Sequence, residues 1–214
     1  MELKKLKKIY TILRNEILSY NVPVVDLIKI QSGSSFKILI ATILSARTQD
    51  KTTSRVCETL FSKVKTFDDL TRLSTRQIEK LIYPVGFYKN KAKQLKLLPE
   101  IIKNKFRGRI PETIDELIKL PGVGRKTANL VMSLALNKPA ICVDTHVHRI
   151  MNRLGFVKTK SPAETEKALR EKLPQNMWTL TNRIFVAFGQ NTCRPINPAC
   201  NICPINKFCE SARI

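Results

Sequence analysis

The chain is short of acid, of strand-like alternation and of long apolar runs, and each shortage removes a class of protein. Asp and Glu number 17 against 38 Lys and Arg, for a formal charge of +21. That excess is too large for solubility alone and points to a polyanionic partner, most economically nucleic acid. No uninterrupted apolar run reaches the length of a membrane span. The competing partner, an anionic membrane surface, rests on the basic stretch Met1 to Tyr10, which reads as an amphipathic helix. Its Leu and Ile spacing continues through Ile12, Leu13, Ile17 and Leu18, as expected of a helix docked on its own core. Internal repeats, low-complexity tracts and long linkers are lacking. Nothing upstream resembles a signal peptide, so the chain is read as soluble, intracellular and nucleic-acid-binding.

What is present is helical periodicity from end to end. The 214 residues suffice for one large or two small domains. Ser35 to Ala46 is apolar nearly all round, which suits a helix buried in a core. Asp50 is expected to cap the next segment, where Val56, Leu60, Phe61 and Val64 recur at helical spacing. Further periodic segments cover about 75–83, 89–105, 112–119, 125–136, 145–154, 162–173 and 178–189, with Pro and Gly between them. The fold class is all-α.

Two features carry chemistry. The first is the run Leu120 to Ala128, LPGVGRKTA. Gly122 and Gly124 let the backbone turn sharply and approach a ligand without Cβ clashes. The helix that follows presents amide groups and a positive dipole end, an anion site that DNA phosphate would suit. Gly122, Val123, Gly124, Arg125 and Thr127 are therefore candidate DNA contacts. The second is the terminal cysteine run, Cys193, Cys200, Cys203 and Cys209, spaced C-x6-C-x2-C-x5-C. So dense a cluster in an otherwise cysteine-poor chain points to metal, and the spacing leaves an iron–sulfur cluster and zinc both open. A disulfide pair fits the intracellular reading poorly. Cys57 and Cys142 sit in apolar stripes and are expected to be core thiols, and Trp178 a packing residue.

These motifs carry a resemblance. The hairpin LPGVGRKTANLV, the segment Val143-Asp144-Thr145-His146, the terminal cysteines, Leu44 to Asp50 (LSARTQD) and Val85 to Ala92 (VGFYKNKA) occur in family order along essentially the whole chain. Together they resemble the endonuclease III family of helix-hairpin-helix DNA glycosylases, whose members repair oxidised pyrimidines. The resemblance implies that the four cysteines ligate a [4Fe–4S] cluster rather than zinc. It also implies a six-helix domain over 28–138 that contains the hairpin. A second domain, of 1–27 and 139–214, would carry the cluster, with Lys126 and Asp144 facing each other across the cleft. The cluster's expected role is structural and DNA-positioning. The implied partner is double-stranded DNA containing damaged bases or abasic sites. The protein is expected to act as a monomer in the cytoplasm, associated with the nucleoid.

By the same resemblance Lys126 is the nucleophile and Asp144 the second catalytic residue. A glycosylase that is also a lyase needs an amine to displace the base from C1′ and form a Schiff base, which requires a neutral fraction of lysine. A helix start, the neighbouring Arg125 and burial against a flipped nucleotide would each disfavour the ammonium. Asp144 could stabilise cationic charge on the deoxyribose or assist proton transfer, and it is equally well placed to cap the helix that follows. Flipping the target nucleotide leaves a gap to be filled, which the resemblance assigns to the loops holding Arg47, Gln49 and Phe87. Arg47 stands where bacterial members commonly have glutamine and would favour acceptors such as guanine opposite the lesion. Phe87 replaces a common leucine and could wedge by stacking, although a core aromatic is the alternative. His146 is a candidate for phosphate contact or packing, not a metal ligand. Two other functions remain on these residues: an adenine- or thymine-mismatch glycosylase, and a non-catalytic, metal-stabilised DNA-binding module. Lys126 paired with Asp144 argues against both.

Overall fold

The structure, a computed structural model, describes residues 1–20, 25, 28 and 32–212. Among these residues all regular structure is helical. The chain divides into two compact units, Met1–Val22 with Pro139–Ile214, and Pro23–Lys138. The boundary expected between residues 27 and 28 adjoins residues 26 and 27, which lie outside the described residues.

In the first unit, helix α1 (Leu3–Glu16) buries Leu6, Ile9, Tyr10 and Leu13 and exposes Lys4, Lys5, Lys7 and Lys8. Full burial of such apolar side chains is worth about 1.5–3 kcal/mol each. Repulsion between like charges one turn apart costs only about 0.2–0.5 kcal/mol per pair, so burial wins and the basic helix docks. Its partners lie in one apolar cluster with Val147, Ile150, Phe185 and Phe188, and the Tyr10 hydroxyl meets Thr181 Oγ1 at 2.6 Å.

The second unit is built from helices α2 (Ser35–Ser45), α3 (Asp50–Lys63), α4 (Phe67–Arg72), α5 (Thr75–Ile82), α6 (Tyr88–Phe106), α7 (Ile114–Leu117) and α8 (Arg125–Leu134). The apolar helix α2 is its centre: Phe36 and every residue from Ile38 to Leu44 are buried, and it packs on α3, α6 and α8. The first unit then completes with α9 (Thr145–Arg153), α10 (Pro162–Lys172) and α11 (Trp178–Asn191). Helix α11 lies against α1 and α9.

Helix starts follow their caps. Thr66 with Asp69 and Ser74 with Gln77 close reciprocal capping boxes at α4 and α5. Helix α4 escaped the periodicity reading because it is barely two turns long, although Thr66-Phe67-Asp68-Asp69 carries the box pattern. Asp50 does not cap α3. Gln49 holds that position without a side-chain cap, and Asp50 is the first helical residue, where a carboxylate still favours the dipole. The segment 112–119 forms only one turn of helix, Ile114–Leu117, capped by Thr113. Pro111 and the Pro121-Gly122 turn leave it no room to extend.

Candidate functional site

In the second unit the loop after α2, the loop before α6 and the hairpin converge. Ala46, Arg47, Phe87, Asn90, Lys91, Gln94 and Gly122 line one cavity of about 270 Å³. Arg47 and Phe87 are both non-glycine residues in the left-handed region, at φ 53° and 59°, a conformation that costs roughly 1–2 kcal/mol for an L-residue. Phe87 is 60% exposed, which excludes the core-aromatic alternative, and the Arg47 guanidinium lies 5.5 Å from its ring centroid. Gln49 is exposed at the N-cap of α3. A Cβ on Gly86 would collide with the Arg47 carbonyl oxygen, so glycine there lets the two loops touch.

The lysine holding these loops was not singled out by its sequence context. Lys91 is 6% exposed, and its Nζ donates to Leu44 O at 2.8 Å, Ala46 O at 2.6 Å and Thr48 Oγ1 at 3.2 Å. Burial pushes its pKa down to about 8, while three acceptors hold the ammonium charged at neutral pH. Charge-assisted hydrogen bonds are worth roughly 1.5–3 kcal/mol each, enough to offset the strain at Arg47 and Phe87.

At the hairpin, Val123 N donates to Leu120 O at 3.1 Å, closing the turn. Gly122 has φ 78°, and a Cβ there would meet Gln94 Oε1 at 2.7 Å. Gly124 is different: it is the N-cap of α8 at φ −89°, and a Cβ there would meet nothing. Glycine at 124 offers no side-chain cap, and the first turn of α8 contains no acidic residue. Arg125 and Lys126 are exposed in that turn and Thr127 is half-buried, while Val123 is buried. The burial expected around the Lys126 amine is that against a flipped nucleotide.

In the first unit Asp144 is the N-cap of α9. Its Oδ1 accepts from His146 N at 2.8 Å and Val147 N at 2.9 Å, so the capping role is real. The Arg149 guanidinium donates to His146 Nδ1 at 3.0 Å, which puts the imidazole proton on Nε2. A Cβ on Gly189 would meet His146 Nδ1 at 2.5 Å, so His146 is packed against α11 as well as standing near the start of α9.

The four terminal cysteines surround a second cavity, of about 210 Å³, floored by Ile150, Leu154 and Phe188. All six cysteines are free thiols, with Cys57 and Cys142 buried, and Trp178 is buried with its indole N–H on Leu173 O at 3.0 Å. Burial first, then the proximity of Cys193, Cys209 and Cys200, pushes Cys203 up to about 11. Two arginines of α9, also missed in the sequence, hold the loop. Arg149 donates to Cys193 O at 2.7 Å. Arg153 donates to Cys193 Sγ at 3.3 Å, Arg194 O at 2.8 Å and Pro195 O at 2.9 Å. Among the described residues no three His, Cys, Asp or Glu side chains close around a point where one ion could sit. The thiols ring a cavity instead.

Residues 40–175 match the family model of the HhH-GPD superfamily base excision DNA repair proteins, which defines the class of the fold and of its hairpin. Over 178 residues, 83% of this chain and 84% of the relative, the sequence is 44% identical to endonuclease III of Thermotoga maritima. The chain belongs to the endonuclease III family, and it is a base excision repair DNA glycosylase and abasic-site lyase. The backbone superposes on a trapped endonuclease III–DNA covalent intermediate with a TM-score of 0.88 at 33% identity, covering 99% of this chain and 97% of that one. It also superposes on a thermostable thymine-DNA glycosylase at 0.83 and 27% identity, covering 98% and 97%. The fold alone therefore does not choose between oxidised-base and mismatch chemistry.

Proposed function

We propose that the enzyme removes oxidised pyrimidines from duplex DNA, with Lys126 as nucleophile and Asp144 as its carboxylate partner. The observation that carries the reading is Lys126 itself, an exposed residue in the first turn of α8, directly after the glycine turn. The neutral amine attacks C1′, the bond from C1′ to the base breaks, and the base leaves with the bonding electrons. The amine loses its protons as the sugar ring opens, giving a C1′=N Schiff base. Removal of a 2′ proton then expels the 3′ phosphate by β-elimination, and water releases Lys126 from the aldehyde. The Asp144 carboxylate, with Oδ1 fixed by two backbone amides, opposes positive charge developing on the sugar.

Arg47, Gln49 and Phe87 occupy the gap left by the flipped nucleotide. Phosphates bind at Gly122 to Thr127, with the His146 imidazole contributing a further contact. The +21 charge supports DNA as the partner; work at the nucleoid, in the cytoplasm, as a monomer, belongs to the same proposal.

The same reading assigns a [4Fe–4S] cluster to Cys193, Cys200, Cys203 and Cys209. Four thiols around a cavity, with the Arg153 guanidinium on Cys193 Sγ, fit a multi-iron cluster better than a single ion. Bound there, the cluster supplies structure to the C-terminal loop, and no step of the reaction runs through it.

Borohydride trapping on a duplex with a single thymine glycol tests the chemistry. A covalent adduct that disappears in Lys126→Ala is expected. An adduct that survives the substitution would refute Lys126. Trapping on an abasic duplex but not on thymine glycol would refute the oxidised-pyrimidine assignment.

A further inference from the structure

The two gap-facing loops are joined through one buried side chain that the catalytic scheme does not use. Lys91 reaches from the first turn of α6 to three acceptors, Leu44 O, Ala46 O and Thr48 Oγ1, at 2.8, 2.6 and 3.2 Å. Three acceptors match the three N–H bonds of an ammonium, so this amine has no lone pair to offer as a second nucleophile. Two of the acceptors are carbonyls at the C-terminus of α2, where a cation is favoured. The third, the Thr48 hydroxyl, also accepts from Gly86 N at 3.1 Å. Lys91 N in turn donates to Phe87 O at 3.0 Å. One ammonium and one hydroxyl therefore tie the end of α2 to the turn before α6, on either side of the two left-handed residues Arg47 and Phe87.

We propose that Lys91 is a positioning residue, whose ammonium locks the 46–48 loop to the 86–87 turn and so fixes how Arg47 and Phe87 enter duplex DNA. The proposal rests on the reading of Arg47 and Phe87 as gap-filling side chains. Strained conformations persist only where their surroundings over-determine them, and the Lys91–Thr48 tie is what the surroundings supply here. Positioning of this kind matters only when a gap exists. A single-stranded abasic site has no stacked neighbour to replace and no opposite base.

The test uses the cluster-loaded full chain carrying Lys91→Met, Thr48→Val, Thr48→Ser, Arg47→Ala or Phe87→Ala. Each variant is assayed on a thymine glycol duplex and on single-stranded abasic DNA. Lys91→Met and Thr48→Val are expected to lower kcat/KM on the duplex by about 10- to 100-fold, with single-strand cleavage retained. Thr48→Ser, which keeps the hydroxyl, should restore duplex activity, and Lys91→Met should add little to Arg47→Ala. If Lys91→Met fails to fold, the Thr48 pair carries the same comparison. Equal losses on both substrates would reduce Lys91 to a structural peg and overturn the proposal. So would undiminished duplex activity in Lys91→Met and Thr48→Val while Arg47→Ala or Phe87→Ala is impaired. Full duplex activity in both Arg47→Ala and Phe87→Ala would instead sink the gap-filling reading, and the proposal with it.

Discussion

The hairpin glycines do different work, and two alanine substitutions should separate them. At Gly122 the backbone has φ 78°, and an added Cβ would stand 2.7 Å from Gln94 Oε1 and 3.2 Å from Ile43 Cγ2. The left-handed conformation alone costs about 1–2 kcal/mol for alanine. The Gln94 amide can swing away, but Ile43 is only 1% exposed and must be pushed, so the total for Gly122→Ala comes to about 2–3 kcal/mol. For a protein of this size that lowers Tm by about 5–10 °C. Gly124 has an ordinary φ of −89° and open space where a Cβ would go. Gly124→Ala should cost no more than about 1 kcal/mol, through the poorer cap. Its Cβ would nevertheless intrude where a phosphate approaches the start of α8, and affinity for DNA should fall. Thermal unfolding by circular dichroism, paired with titration of a duplex containing an uncleavable abasic analogue, measures both effects. The reasoning fails if Gly122→Ala melts with the parent protein, or if Gly124→Ala is the less stable of the two.

The capping geometry predicts that Asp144→Ala loses about 1 kcal/mol of stability, whereas Asp144→Asn keeps the cap and loses the carboxylate. Asp144→Asn should therefore melt like the parent yet be slow on thymine glycol, and full activity would remove Asp144 from catalysis. Lys91 gives a pH signature. Its folded pKa of about 8 lies below the ordinary value of 10.5, so from pH 8 to 10.5 the unfolded chain holds the proton that the folded one has released. Stability should rise with pH through that window relative to Lys91→Met, and parallel stability curves would contradict it. Cys200→Ser should bleach the visible absorption of the purified protein and lower the melting temperature of the unit formed by Met1–Val22 and Pro139–Ile214, whereas a colourless parent with stoichiometric zinc would refute the cluster. Binding to undamaged duplex should weaken steeply as salt rises, because phosphate contacts release counterions; a flat salt profile would deny the basic surface its role.

Much of this molecule could be read from its residues. Helix α2 was visible because an apolar run of that length between Ser34 and Arg47 has no amphipathic solution other than burial. Helix α9 was visible because Asp144 stands just ahead of a polar-apolar period. The cysteine spacing announced a loop whose thiols line one cavity, and the glycines announced the tight turn ahead of α8. Other features were illegible for definite reasons. Lys91 is one lysine in a lysine-rich helix, and only the path of the α2 carbonyls shows it to be the buried one. Arg149 and Arg153 sit at ordinary helix positions, and their bonds to Cys193, forty or more residues away, exist only in the folded chain.

Local and patterned information, namely charge excess, helical period, caps, turn glycines and clustered thiols, is written in the order of the amino acids. From it the sequence by itself determined the all-α class, the hairpin, the family and the candidate nucleophile. Tertiary structure alone decided that Phe87 is exposed rather than core, that Gly122 and not Gly124 is the strained turn residue, and that Lys91 joins two loops about forty residues apart. Those facts depend on which backbone carbonyls and which cavities a side chain meets after packing, and no spacing along the chain encodes that.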